Sequence, residues 1–260
     1  MILRRVIKHF RNQEWTAIFL DFLIVVVGVF VGLQVSNWSA ERADQIRAKA
    51  FLERIDADLS ADIHNYRDSI GFWHQVSGYG VIGLEYAKTR DLKGQTYWEI
   101  LLALFQASQV DEFLTTQTTY DELTSAGELD LITSSHLRAA IAKYYSAGGN
   151  LTLSLFPEYR KHVRGIVPLD IQNYIWENCY STTNNADQLL NDCDAPVAPE
   201  RASRITDQLA DNTALMSELR YWVTNMRVAT LISKNRIGQA EAMQAFIQDE
   251  LGLKHEEKTP

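Results

Sequence analysis

One stretch near the N-terminus, Trp15–Trp38 (WTAIFLDFLIVVVGVFVGLQVSNW), constrains everything the rest of the chain can become. From Trp15 to Val35 it would form a helix about 31 Å long at 1.5 Å per residue, which matches the hydrocarbon thickness of a bilayer. Trp15 and Trp38 stand at its two ends, where indole rings favour the membrane–water interface. A secretory signal also begins with a basic segment and an apolar run, but its apolar region is shorter and a small-x-small cleavage site follows it. Here cleavage after Ala40 would place Trp38 at the minus-three position, and cleavage after Ala43 would place Glu41 there. The expectation is an uncleaved, single membrane-spanning helix embedded in the lipid bilayer.

Charge orients that helix. Residues 1–14 carry Arg4, Arg5, Lys8 and Arg11 against Glu14, out of 25 Lys and Arg and 33 Asp and Glu in the whole chain. The surplus of positives predicts a cytoplasmic N-terminus at a bacterial inner membrane and a periplasmic C-terminal domain. That domain is acidic, which excludes nucleic acid, since phosphate contacts need clustered Lys and Arg.

Beyond Ser39 the apolar residues follow helical periods. Ile55, Leu59, Ile63, Tyr66, Ile70 and Trp73 recur at spacings of four and three, an amphipathic stripe that favours intrachain packing over a coiled-coil seam. No proline interrupts Trp15–Thr89, so the span should continue into this stripe, although Gly71, Gly78, Gly80 and Gly83 predict a break or bend. A turn at Asp91–Gly94 leads to a helix over 97–109. Thr119, with Glu122 three residues on, has capping-box spacing, Gly127 suits a helix end, and Ser134 or Ser135 suits the next start. Helical pieces interrupted by Pro157 and Pro168 follow, then a long loop over 179–199, and then a long amphipathic helix from Asn212 to about Leu251. Its expected buried side holds Leu215, Leu219, Trp222, Met226, Ala229, Ile237, Ala240, Met243 and Ile247. The fold class is all-α. The segments are a basic cytoplasmic stretch (1–14), a transmembrane helix (15–38), juxtamembrane amphipathic helices (39–90), a helical ectodomain (91–251) and a polar tail (252–260).

Cys179 and Cys193 flank the long loop. In a reducing compartment they would be two buried thiols; in a periplasmic domain a disulfide closing the loop is favoured. No His or second Cys pair stands at zinc spacing. The six histidines are scattered, and no phosphate loop, nucleophile elbow or dinucleotide fingerprint is present. Asp56, Asp58, Ser60 and Asp62 imitate the start of a calcium loop, without its glycine and with Arg67 where the closing acid belongs. Tyr120, Asp121, Glu122 and Glu128 read as capping and solvated helix surface. No cofactor and no catalytic residue is expected.

Asp21 is the one residue that carries a specific physical demand, because an acid in hydrocarbon costs about 2.5–3.5 kcal/mol unless it is paired, functional or able to reach water. At 100° per residue, Asp21, Val25, Gly28, Gly32 and Val35 share one side of the helix. Three readings stay open: an acid that snorkels to the head groups, association of helices through the Gly28/Gly32 face, or handling of protons or ions.

The residues Asp21, Val25, Gly28, Leu33, Gln34, Asn37, Trp38, Glu41 and Arg42, followed by TYDELTSAGELDLI and HLRAAIAKYY, resemble the motifs of a family of bacterial single-span membrane proteins of unknown function. The resemblance covers about residues 15–145. Departures are Asp21 for Glu, Gly32 for Ala and Ser39 for Asn. It implies a topology and no activity. The expected function is that of a non-enzymatic inner-membrane protein that self-associates or binds a membrane-protein partner. The alternative is a stator- or energiser-like subunit in which Asp21 couples to proton or ion movement.

Overall fold

The computed structural model describes residues 15–111, 115–146, 156–182, 188–190 and 192–252. The basic segment 1–14 and the polar tail after Gly252 lie outside the described residues.

Helix α1 runs without interruption from Trp15 to Thr89, 75 residues, or about 112 Å of helix. The break expected at the glycine cluster is absent. A glycine costs a helix about 1 kcal/mol relative to alanine, a local penalty that tertiary packing overrides. Two of the glycines show how. A Cβ on Gly80 would stand 2.5 Å from Val223 Cγ2, and one on Gly83 would stand 2.4 Å from Leu104 Cδ2, whereas Gly71 and Gly78 face open space. Gly80 and Gly83 are therefore where α1 draws in its neighbours.

The remaining elements fold back along the distal half of α1. They are α2 (Tyr97–Gln106), α3 (Thr118–Ser125), a 3-10 turn (Leu129–Leu131), α4 (Ser135–Ser146), α5 (Glu158–Ile166), α6 (Leu169–Asn178), the strands β1 (Tyr180–Thr182) and β2 (Gln188–Leu190), α7 (Pro199–Asp211) and α8 (Thr213–Glu250). Helix α8 lies antiparallel to α1: Val223 meets Gly80, Arg236 meets Tyr66, and Gln244 Nε2 donates to Ser60 Oγ at 2.7 Å. Its N-terminus is capped by Asn212, whose side chain accepts from the Leu215 amide at 3.0 Å. The predicted inner side of α8 is buried, with Ile237 only partly so, and Thr230, Ser233 and Arg236 join it.

The stripe on α1 packs within the chain, yet it serves two apolar cores. A proximal core, nearer the N-terminal end of α1, joins Phe51, Ile55 and Leu59 of α1 to Leu123, Ile141 and Met243. A distal core joins Trp73 and Val76 to α2, α5, α6, α7 and the first half of α8.

Smaller elements depart from expectation. Helix α2 stops at Gln106 and starts with a capping box at Thr96 and Glu99. Thr119 does not cap α3. Gln117 holds that position without a side-chain bond, and Thr119 is buried, turned inward by the packing of α3 on α1. Gly127 does end the helix with φ +68°, and the Ser134 hydroxyl accepts from the Leu137 amide. The segment read as a long loop contains an antiparallel pairing, Tyr180 with Leu190, Ser181 with Leu189 and Thr182 with Gln188. Cys179 and Cys193 are bonded beneath it, with Cα atoms 5.3 Å apart.

Candidate functional site

The candidate site begins on the uncovered part of α1. Its apolar window has a mean hydropathy of 2.6, and none of that window is buried against the rest of the chain. From Phe19 to Trp38 the large apolar side chains are exposed by between 45% (Val26) and 65% (Phe22), Trp15 is 68% exposed, and Ile18 is partly covered. Asp21 is exposed too, and a Cβ on Gly28 or Gly32 would meet nothing within 4 Å. Gln34, Asn37 and Trp38 are likewise exposed at the far end, where the Arg42 guanidinium carbon lies 5.8 Å from the centre of the Trp38 ring. Among the described residues, then, neither the glycine face nor Asp21 is brought against any other element.

A collar follows immediately. Glu41, Asp44 and Lys49 of α1 face Asp130 and Leu131 of the 3-10 turn and Glu250 at the end of α8, around an open groove of about 420 Å³. Four acids against one lysine make it acidic. The collar is held closed by ion pairs from α1: Arg47 with Glu128, and Arg54 with Glu122. The hydrogen bond from Arg54 holds the Glu122 carboxyl below its ordinary range. Tyr120 stacks on Tyr145 with ring centres 4.7 Å apart. So of the residues read from sequence as capping and solvated surface, Glu122 and Glu128 bind α3 and its turn to α1, and Tyr120 binds α3 to α4. The two sequence blocks that carry the family resemblance meet here.

A third feature was not read from the sequence. Between the two cores sits a buried polar layer made of Asp62 and Tyr66 of α1, Tyr144 of α4 and Arg236 of α8. Asp62 accepts from the Thr116 amide at 2.8 Å and from the Tyr144 hydroxyl at 2.9 Å. Arg236 donates through Nη2 to the Tyr144 carbonyl at 2.7 Å, and its guanidinium carbon lies 4.2 Å from the centre of the Tyr144 ring. Burial pushes the Asp62 carboxyl above its ordinary range, against the two hydrogen bonds that favour its charge. Asp62 is the last acid of the run that imitates a calcium loop, and on a continuous helix it turns inward while Asp56 and Asp58 do not share its ligands. The one available signal was an acid at position 62, beside Ile63 and Tyr66 of the apolar stripe.

Among the described residues, no three His, Cys, Asp or Glu side chains are placed to hold a metal ion. His162 pairs with Glu218 at 2.9 Å in an exposed position, His64 faces Asp68 at 3.1 Å along α1, and His136 packs on Phe246. Comparison of the chain with family models, with curated proteins and with solved structures returns no match.

Proposed function

We propose that this chain is a non-enzymatic, membrane-anchored helical protein of the bacterial inner membrane that associates with a second copy of itself or with a membrane-protein partner. The observation that carries the reading is the apolar first part of α1, whose most hydrophobic window is not buried against any of the described residues. Lipid covers most of such a surface. The open Gly28/Gly32 face lets another helix approach closely enough for van der Waals packing and interhelical contacts. The positive residues 4–11 support a cytoplasmic N-terminus, and the Cys179–Cys193 bridge supports an oxidising compartment for the helical domain. The collar groove, next to the membrane exit, would extend the same contact surface.

The Gly28→Leu/Gly32→Leu double variant tests this. Dimerisation in bilayers, followed by energy transfer between labelled chains, should weaken about tenfold or more, a loss of about 1.4 kcal/mol. A wild-type protein that stays strictly monomeric with no co-purifying partner would sink the proposal.

The second reading rests on the position of Asp21, which lies on the glycine side of the helix with an apolar run beyond it. An acid held between helices there would take part in proton or ion coupling. Asp21→Asn would then abolish complementation of a deletion strain while leaving assembly intact. Full complementation by the variant rules this reading out.

A further inference from the structure

Six arginines of the helical domain (Arg47, Arg54, Arg67, Arg90, Arg138 and Arg201) each face a carboxylate. Arg160 and Arg164, one turn apart on α5 and both partly buried, do not: among the described residues their hydrogen bonds go only to neutral acceptors. Both reach the same residue just beyond α2. Arg160 Nη1 donates to the Ser108 carbonyl at 2.7 Å, and Arg164 Nε donates to the Ser108 hydroxyl at 3.1 Å. Arg164 Nη2 donates to Gln109 Oε1 at 2.9 Å.

This leaves two positive charges side by side. The Arg164 guanidinium carbon is 5.1 Å from the centre of the Phe105 ring and 5.0 Å from that of Trp176, two rings that meet each other edge to face, so it packs against both and they fix its orientation. Buried glutamines support the acceptors: Gln109 donates to Gln106 at 3.1 Å, and Gln106 donates to the Cys179 carbonyl at 2.9 Å. Burial, and then the like charge of Arg160, push Arg164 down to about 9, which leaves it charged at neutral pH. Two desolvated cations held together are costly unless an anion offsets them. Their planar forks match the oxygens of a phosphate-type group, and Arg160 Nε and Nη2 and Arg164 Nη1 are not spent on any described residue.

We propose that Arg160 and Arg164, seated on Ser108 and Gln109, form a binding site for a small, doubly charged oxyanion of the phosphate class. The anion comes from solution and not from the anchoring bilayer. The site lies beside Ala107, which stands against Gly80, 42 residues beyond Trp38 and so about 63 Å along α1.

The test uses the full chain in detergent, in phosphate-free buffer, titrated with inorganic phosphate at constant ionic strength set by chloride. Calorimetry should show saturable binding near one phosphate per chain, with a melting temperature that rises with phosphate as mass action requires. Acetate at the same ionic strength should bind at least tenfold more weakly. Arg160→Gln should weaken phosphate binding about tenfold or more, as expected for losing one charge-assisted hydrogen-bonding partner. Arg160→Lys, which keeps the charge without the fork, should fall between wild type and Arg160→Gln, and Arg220→Gln on the exposed side of α8 should match wild type. Because Arg164 packs against two rings and its loss could unfold the region, Arg160 carries the decision. Phosphate binding that is absent, equal to that of acetate, or unchanged in Arg160→Gln overturns the proposal.

Discussion

Arg236→Met should lower the stability of the helical domain by about 3 kcal/mol. Tyr144 stands in the last turn of α4, where carbonyl groups have no partner within the helix. The Arg236 guanidinium supplies one at 2.7 Å from a buried position, and it also covers the face of the Tyr144 ring. Methionine fills comparable volume but leaves that carbonyl desolvated and unpaired. A hydrogen bond to a charged group contributes about 1.5–3 kcal/mol, and a desolvated cation–π contact adds about 2 kcal/mol at most. For a domain of this size the melting temperature should fall roughly 6–12 °C. An unchanged melting temperature would show that the layer between the cores contributes nothing to stability.

Asp62 in the same layer separates charge from packing. Its carboxyl is raised by burial, so the folded chain holds the proton more tightly than the unfolded chain does. The sign follows directly: its contribution is most favourable below the free value of 3.8 and declines as pH rises from there through the folded value. Asp62→Asn keeps an oxygen for the Thr116 amide and never ionises. Its urea midpoint should therefore fall less steeply than that of wild type from about pH 4 upward and equal or exceed wild type at pH 7. Parallel profiles would show that Asp62 does not bring a pH dependence to folding.

Why this layer escaped sequence reading is a matter of period. The spacing that buries Ile55, Leu59 and Ile63 also buries Asp62 and Tyr66, and the spacing that buries Ala229 and Ala240 also buries Arg236. A helical stripe shows which side faces in, but not where one core ends and the next begins. The membrane-length run, the long C-terminal helix and the cysteines flanking the connection were legible because each depends on local composition or spacing. The glycine cluster misled because the reason for Gly80 and Gly83 lies on other elements, in Val223, Leu104 and Leu219. The β1–β2 pairing was too short to announce itself, with three residues on each side. Arg160 and Arg164 read as ordinary surface charge on a helix, and only the fold places both on Ser108.

Reducing the Cys179–Cys193 bridge should cost about 3 kcal/mol, again roughly 6–12 °C in melting temperature. Loop-closure entropy gives that figure for a closed loop of about 15 residues, and it is an upper value because two polar contacts survive reduction. The Cys179 carbonyl accepts from Gln106 at 2.9 Å, and the Cys193 carbonyl accepts from Trp98 Nε1 at 2.8 Å. Both contacts tie the bridged ends to α2 in the distal core, so the loosening should be local. Hydrogen exchange after reduction, or in Cys193→Ser, should quicken in α6, β1 and the amides of α2, while α3 and α4 around the proximal core keep wild-type protection. Arg236→Met should do the opposite, releasing the end of α4 first. The two perturbations are similar in size but strike different cores, so matching exchange patterns would mean that the cores unfold as one unit despite the polar layer between them.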